Sequence, residues 1–148
     1  MTAKKQPARR RLYLDTSAYL GLLLGERLAA KLEKAIAGAE LLSSVLLIVE
    51  ARRNLVRLTR ERGITGQQYA LCLERVNQDI EQLTLRDLTL DLCDAVPMPA
   101  IATPRSLDLI HLRTASWFHK IAPLDRFVTL DAVQEQAAKE LGLPVQDA

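Results

Sequence analysis

Two apolar runs in this chain stop at an aspartate, and helical patterns fill most of the sequence between them. Arg11-Leu12-Tyr13-Leu14 ends in Asp15, and Phe127-Val128-Thr129-Leu130 ends in Asp131. Short apolar strands that alternate with helices pair in parallel through right-handed crossovers. Sites in such sheets form outside the carboxyl ends of the strands. Both aspartates therefore belong on one rim, and the expected class is α/β with a mostly parallel sheet.

The remaining elements follow from periodicity and punctuation. A helix capped by Thr16 or Ser17 runs toward Leu24 and pauses at Gly25. A second, Glu26 to Ala37, carries Leu28, Leu32 and Ile36 on one face and ends at Gly38. A strand spans Glu40 to Ser43. Ser43 or Ser44 caps a long helix to about Arg60, closed by Gly63. Thr65 or Gly66 starts a helix over residues 67–82, and Leu83 to Arg86 reads as a strand. A helix from Asp87 or Thr89 stalls at Pro97 and Pro99. Ser106 caps the helix that follows, to about His119. Asp131 or Ala132 opens the last helix, which ends at Gly142, and Pro144-Val145 suits a terminal edge strand.

At 148 residues the chain is the size of one domain, with residues 1–10 as a flexible basic arm and 11–148 as the folded unit. Aromatics are only 4%, so stacking on bases is a minor source of any nucleic-acid contact. Net charge is only +2, but the basic residues are clustered. Lys4, Lys5, Arg9, Arg10 and Arg11 form one group, and Arg52, Arg53, Arg57, Arg60 and Arg62 another. Cations near an acidic site suit a polyanionic substrate. The competing reading is a solvated helix face and a loose tail. Cys72 and Cys93 lack zinc-ligand spacing and read as small core residues in a reducing cytosol. No segment approaches the roughly 20 apolar residues needed to span a bilayer, and no secretory signal is evident.

Four acids carry the chemical interest: Asp15, Glu50, Asp108 and Asp131. Carboxylates gathered without matching cations repel one another, and a hard divalent ion such as Mg²⁺ or Mn²⁺ relieves that repulsion. Each acid also has a simpler role open to it. Asp15 and Asp131 suit helix N-caps, although Thr16 and Ser17 can cap in place of Asp15. Asp108 suits the dipole of a helix first turn. Glu50 has Arg53 one turn away for an ion pair. Ser17 either caps or orients the Asp15 carboxylate, and Thr129 joins it as a supporting residue. Asp125 competes with Asp131 but falls in a loop. His111 lies one turn beyond Asp108 and reads chiefly as a satisfied, partly buried histidine. Arg53, Arg57 and Arg60 lead away from Glu50 and suit an RNA or DNA strand.

Four segments together resemble a known family. They are residues 12–20 around Leu14-Asp15-Thr16-Ser17, residues 44–53 around Glu50, residues 106–115 around Asp108, and residues 128–145 from Val128-Thr129-Leu130-Asp131 onward. Their order and spacing are similar to those of a PIN domain, specifically the VapC-type toxins. The resemblance implies a three-layer α/β/α fold and Mg²⁺- or Mn²⁺-dependent endoribonuclease activity. It implies catalytic and metal-binding roles for Asp15, Glu50, Asp108 and Asp131. It also implies a homodimer inhibited by a VapB-type antitoxin. Two features depart from the pattern. Arg113 stands where alanine is usual, and the basic arm is longer than in many members.

Rival classes fit less well. A haloacid-dehalogenase-type phosphatase needs a second Asp where Ser17 stands. A receiver domain needs adjacent acids and a lysine that are missing. The remaining alternative is a catalytically inactive PIN-like module that binds RNA or a protein.

Overall fold

The computed structural model describes residues 7–94, 100–102 and 105–146. The element order is β1 (Arg11–Leu14), α1 (Thr16–Leu23), α2 (Ala29–Ile36), β2 (Glu40–Ser44), α3 (Leu46–Arg60) and α4 (Gly66–Gln82). Then come β3 (Thr84–Arg86), α5 (Leu90–Asp94), α6 (Ser106–Ile121), β4 (Arg126–Val128) and α7 (Ala132–Glu140). Lys4, Lys5, Pro97 and Pro99, and with them part of the basic arm and the expected stall after α5, lie outside the described residues.

The four strands form one sheet in the order β3-β2-β1-β4, and every pairing is parallel. The sheet is therefore wholly parallel, and it is flanked by helices. Its central strand is buried on both faces, as parallel sheets require. Alternation of side chains divides the core in two. Tyr13, Leu42 and Phe127 face α6 and α7, packing with Leu112, Ala115, Phe118, Ala137 and Ala138. Leu12, Leu14 and Val128 face the other way, against Ala18 of α1 and Leu32 of α2. A third cluster, Tyr19, Leu47, Ala51, Leu55 and Val76, fastens α3 and α4 to α1. The Tyr19 hydroxyl reinforces it by donating to Asp79 at 2.9 Å, an acceptor shared with Arg75.

Several local expectations need correction. α2 starts at Ala29, because Gly25 (φ 62°) ends α1 and a turn closed by Ala29 N–H to Glu26 C=O precedes the helix. Ser106 is the first residue of α6, and Arg105 occupies the cap without a side-chain bond. Pro144 and Val145 form no strand; Pro144 C=O takes one bond from Phe127 N–H at 2.6 Å beside β4. Cys93 is exposed, whereas Cys72 packs at the edge of the third cluster. Arg113 ties α5 to α6 by donating to the carbonyls of Leu92 and Cys93. Arg9 and Arg10 donate to the carbonyls of Gly38 and Ala35 at the end of α2.

Gly63 does not take the left-handed position at the end of α3; Arg62 does, with φ 57°. Arg62 N–H reaches Thr59 C=O and Gly63 N–H reaches Leu58 C=O, the paired bonds of a Schellman motif. A side chain in that conformation costs roughly 1–2 kcal/mol, which glycine avoids. Arg62→Gly should therefore raise unfolding free energy by about 1 kcal/mol, measured by urea denaturation; a loss of stability would contradict this account of the helix end.

Candidate active site

Asp15 leaves the end of β1 at the carboxyl rim of the sheet and is only 4% exposed. It is itself the N-cap of α1: Oδ1 accepts from Ala18 N–H at 3.0 Å. Thr16 and Ser17 do not take that role, because both hydroxyls turn elsewhere. Ser17 Oγ donates to Asp15 Oδ1 at 2.7 Å and accepts from Leu130 N–H at 2.9 Å. The Thr129 hydroxyl donates to Asp15 Oδ2. Thus Ser17 and Thr129 clamp the carboxylate from two elements, α1 and the segment after β4.

Glu50 points from α3 back toward β1 rather than toward Arg53. Its Oε1 accepts from the Thr16 hydroxyl at 2.9 Å and meets His111 Nε2 at 2.8 Å. His111, in α6, is 1% exposed, and its Nδ1 lies 2.7 Å from the Tyr13 hydroxyl. A continuous buried chain therefore runs from Tyr13 through His111 to Glu50 and Thr16. Thr16 and Tyr13 were not singled out from sequence. The apolar pattern of β1 makes Tyr13 look like core alone, and its hydroxyl gives no sequence signal of its partner.

Asp108 lies half-buried in the first turn of α6, as expected. Asp131 caps α7, with Oδ1 accepting from Val133 and Gln134 N–H at 2.8 and 3.1 Å. Gln134 joins the two, donating through Nε2 to Asp108 C=O at 2.9 Å. Gln134 is a further residue that carries no sequence signal, since a glutamine in a helix first turn does not announce a tertiary bond. Asp125 lies at the opposite end of the sheet, accepting from Arg11 N–H at 2.6 Å, and so belongs to the structure of that edge.

The electrostatics place the acids in one neighbourhood. Burial raises the Asp108 pKa, and the charges of Asp131, Asp15 and Glu50 each push it further up. Burial also raises Asp15, against its bonds from Thr129, Ala18 and Ser17 and the nearby His111, which lower it. As disposed, no three His, Cys, Asp or Glu among the described residues close around one point. Asp15, Glu50 and Asp131 each have at least one oxygen engaged by a protein donor. The all-oxygen donor set and the repulsion felt at Asp108 nevertheless fit a hard divalent ion.

Arg53, Arg57 and Arg60 lie farther along α3. With Val56 and Glu61 they line an open hollow of about 390 Å³. Arg57 is held by Glu61 at 2.8 Å and Asn54 at 3.2 Å, whereas Arg53 and Arg60 face solvent. At 1.5 Å per residue, Arg60 stands roughly 15 Å along the helix from Glu50, a spacing of two or three nucleotides.

The PIN domain family model matches residues 12–145, nearly the whole chain. The chain belongs to the PIN domain family. PIN domains are generally nucleases, and PIN nucleases typically use divalent metals. No curated protein matches the chain. Among the described residues of this PIN domain, no helix is long and apolar enough to cross a membrane.

The raised pKa values set a direction for stability. A carboxyl with a folded pKa above its unfolded value holds protons more tightly when folded. Its ionisation therefore erodes stability as pH rises from the unfolded value, about 3.9, through the folded one. Asn at position 15 still caps α1, and its amide can donate to Thr129. Asp15→Asn and Asp108→Asn should each melt a few degrees above wild type at pH 7, with the gain shrinking toward pH 3. Calorimetry finding both variants less stable at pH 7 would refute the burial cost at Asp15 and the burial and repulsion at Asp108.

Proposed function

We propose that this PIN domain is a Mg²⁺- or Mn²⁺-dependent endoribonuclease, the toxin of a VapBC-type module. In this reading it acts as a homodimer in the cytoplasm and is held in check by a VapB-type antitoxin. The observation that supports the catalytic part is geometric: Thr129 ties Asp15 to the segment that leads into Asp131, Thr16 ties Glu50 to the residue after Asp15, and Gln134 ties Asp108 to the turn that Asp131 caps. The VapC assignment rests on the four motif segments between residues 12 and 145.

Asp15, Glu50 and Asp108 would hold the ion, with Asp131 completing the site or serving a second ion. When bound, the metal supplies Lewis-acid polarisation of a phosphodiester and a water of lowered pKa for in-line attack. The chain's own part is orientation. Ser17 and Thr129 fix both oxygens of Asp15, so its lone pairs are aimed before substrate arrives. Gln134 fixes the backbone of Asp108 to the first turn of α7. Arg53, Arg57 and Arg60 hold successive phosphates of a single strand on the outer side of α3. No side chain is required as nucleophile. His111 is sealed between Tyr13 and Glu50, out of reach of a substrate phosphate.

Cleavage by water predicts RNA products with 5′-phosphate and 3′-hydroxyl ends. Asp15→Asn should lower metal-dependent cleavage more than about 100-fold, since even outer partners of metal ligands are typically worth 10–100-fold. End-mapping that finds 2′,3′-cyclic phosphates, or full cleavage by a nuclease-free preparation of Asp15→Asn, would sink the assignment. A wild type that neither binds Mn²⁺ nor cuts RNA would favour the inactive binding module.

Binding to RNA should weaken with salt. Neutralising Arg53, Arg57 and Arg60 together should lower the slope of log affinity against log salt by about 2, at ~0.7 per contact to a single strand. Filter binding of Asp15→Asn across a salt series, with and without the three changes, measures this. An unchanged slope would leave these arginines as surface charge.

A further inference from the structure

We infer that His111 is a positioning residue for Glu50, and that Tyr13 aims it. The inference rests on the metal reading above and adds how this chain sets one of its four carboxylates. Glu50 is the only one of the four acids carried by α3, a helix packed on α1 and α4. A glutamate there has three side-chain torsions and nothing from the sheet to hold it. The structure supplies two holds, and both act on the same atom. Thr16 donates to Oε1 at 2.9 Å, and His111 Nε2 meets Oε1 at 2.8 Å. Among the described residues Oε2 accepts no hydrogen bond, so one oxygen is anchored and the other is left for the site.

The histidine is itself held by Tyr13 in two ways. Its Nδ1 faces the Tyr13 hydroxyl at 2.7 Å. Its ring meets the Tyr13 ring edge-on, with centroids 5.9 Å apart and planes at 76°. Tyr13 in turn stacks on Phe127 of β4, 5.4 Å away and 6° from parallel. A tyrosine phenol is un-ionised at neutral pH, so the Tyr13 hydroxyl has a proton to give. A protonated phenol donates to Nδ1, which leaves the ring proton on Nε2, directed at Glu50. Two strands of the sheet thereby fix the rotamer of a carboxylate on a distant helix.

The test separates the histidine's role from the metal's. Long-range ¹H–¹⁵N spectra of the metal-free wild type should show Nε2 of His111 carrying a proton. Glu50→Gln should move that Nε2 resonance. A neutral ring protonated at Nδ1 alone would overturn the inference, because Nε2 could not then donate to Glu50. Mn²⁺ titration calorimetry reads the consequence. His111→Leu should weaken Mn²⁺ about 10–100-fold, the usual range for a partner that orients a ligand, and Tyr13→Phe by less than about 10-fold. His111→Gln keeps an N–H near the Nε2 position and should recover most of the affinity. In cleavage assays the Mg²⁺ requirement should rise while KM for RNA stays constant. Tyr13→Phe preserves the core, so it decides the matter should His111→Leu fail to fold. Equal Mn²⁺ affinity in Tyr13→Phe, His111→Leu and wild type would also overturn the inference. A wild type that does not bind Mn²⁺ would instead overturn the metal reading, with the ¹⁵N spectra still deciding whether His111 holds Glu50.

Discussion

The buried carboxylate of Asp15 is the point on which both the sheet and the site depend. It sits at the end of the central strand, caps α1 through Ala18 N–H, and draws hydroxyls from α1 and from the segment after β4. Without those donors, burying the charge would cost several kcal/mol. With them, the carboxylate orients the rim. The segment it holds, Thr129-Leu130-Asp131, also leads into α7, so its position sets where the Asp131 cap begins. Leu130 lies across Gly21 of α1, where an added Cβ would come within 2.5 Å of its Cδ1.

Much of this arrangement is readable from the sequence because it follows from periodicity. Parallel strands buried on both faces must be short and apolar, and their polar stops must fall on one rim. Asp15 marks such a stop and Asp108 falls in a helix first turn as its flanking residues dictate, whereas β4 ends at Val128 and Asp131, three residues on, is the cap of α7 rather than a strand end. What escaped the sequence depends on tertiary direction. Asp15 is cap and rim residue at once, a combination that no local pattern separates from either role alone. Glu50 has Arg53 one turn away, yet it turns inward because Thr16 and His111 offer buried donors. Cys93 looks like core by composition, but α5 is a short helix with only Leu92 buried. Arg62 adopts the left-handed turn in place of Gly63 because the helix runs only to Arg60, leaving position 62 just past its cap.

The outer face of α3 and its inner face answer to different physics. Leu47, Ala51 and Leu55 give one apolar stripe that seats the helix against α1 and α4. Arg53 and Arg60 lie off that stripe and face solvent, and Arg57 beside them pairs with Glu61 and Asn54. Glu50 lies at the border between the two. A single helix can thus present a carboxylate to the rim and a run of cations leading from it, with no loop between them. That continuity is what would make phosphate contacts compatible with the proposed metal chemistry on so small a domain.

The rim is assembled from layers that do not share a core. Asp15 and Thr129 directly follow the strands β1 and β4, Asp108 and Asp131 stand at the starts of helices on one side, and Glu50 belongs to the helical layer beyond α1. The apolar clusters fix each layer well, but they fix side chains at the border between layers poorly. Polar links do that work here: Gln134 between α7 and α6, and Tyr13–His111–Glu50–Thr16 between sheet, α6, α3 and α1. Both links are almost dry, and in a medium of low polarity a satisfied hydrogen bond is strong and its loss costly. Buried polar side chains next to a carboxylate rim are therefore where this fold converts packing into the orientation of charge.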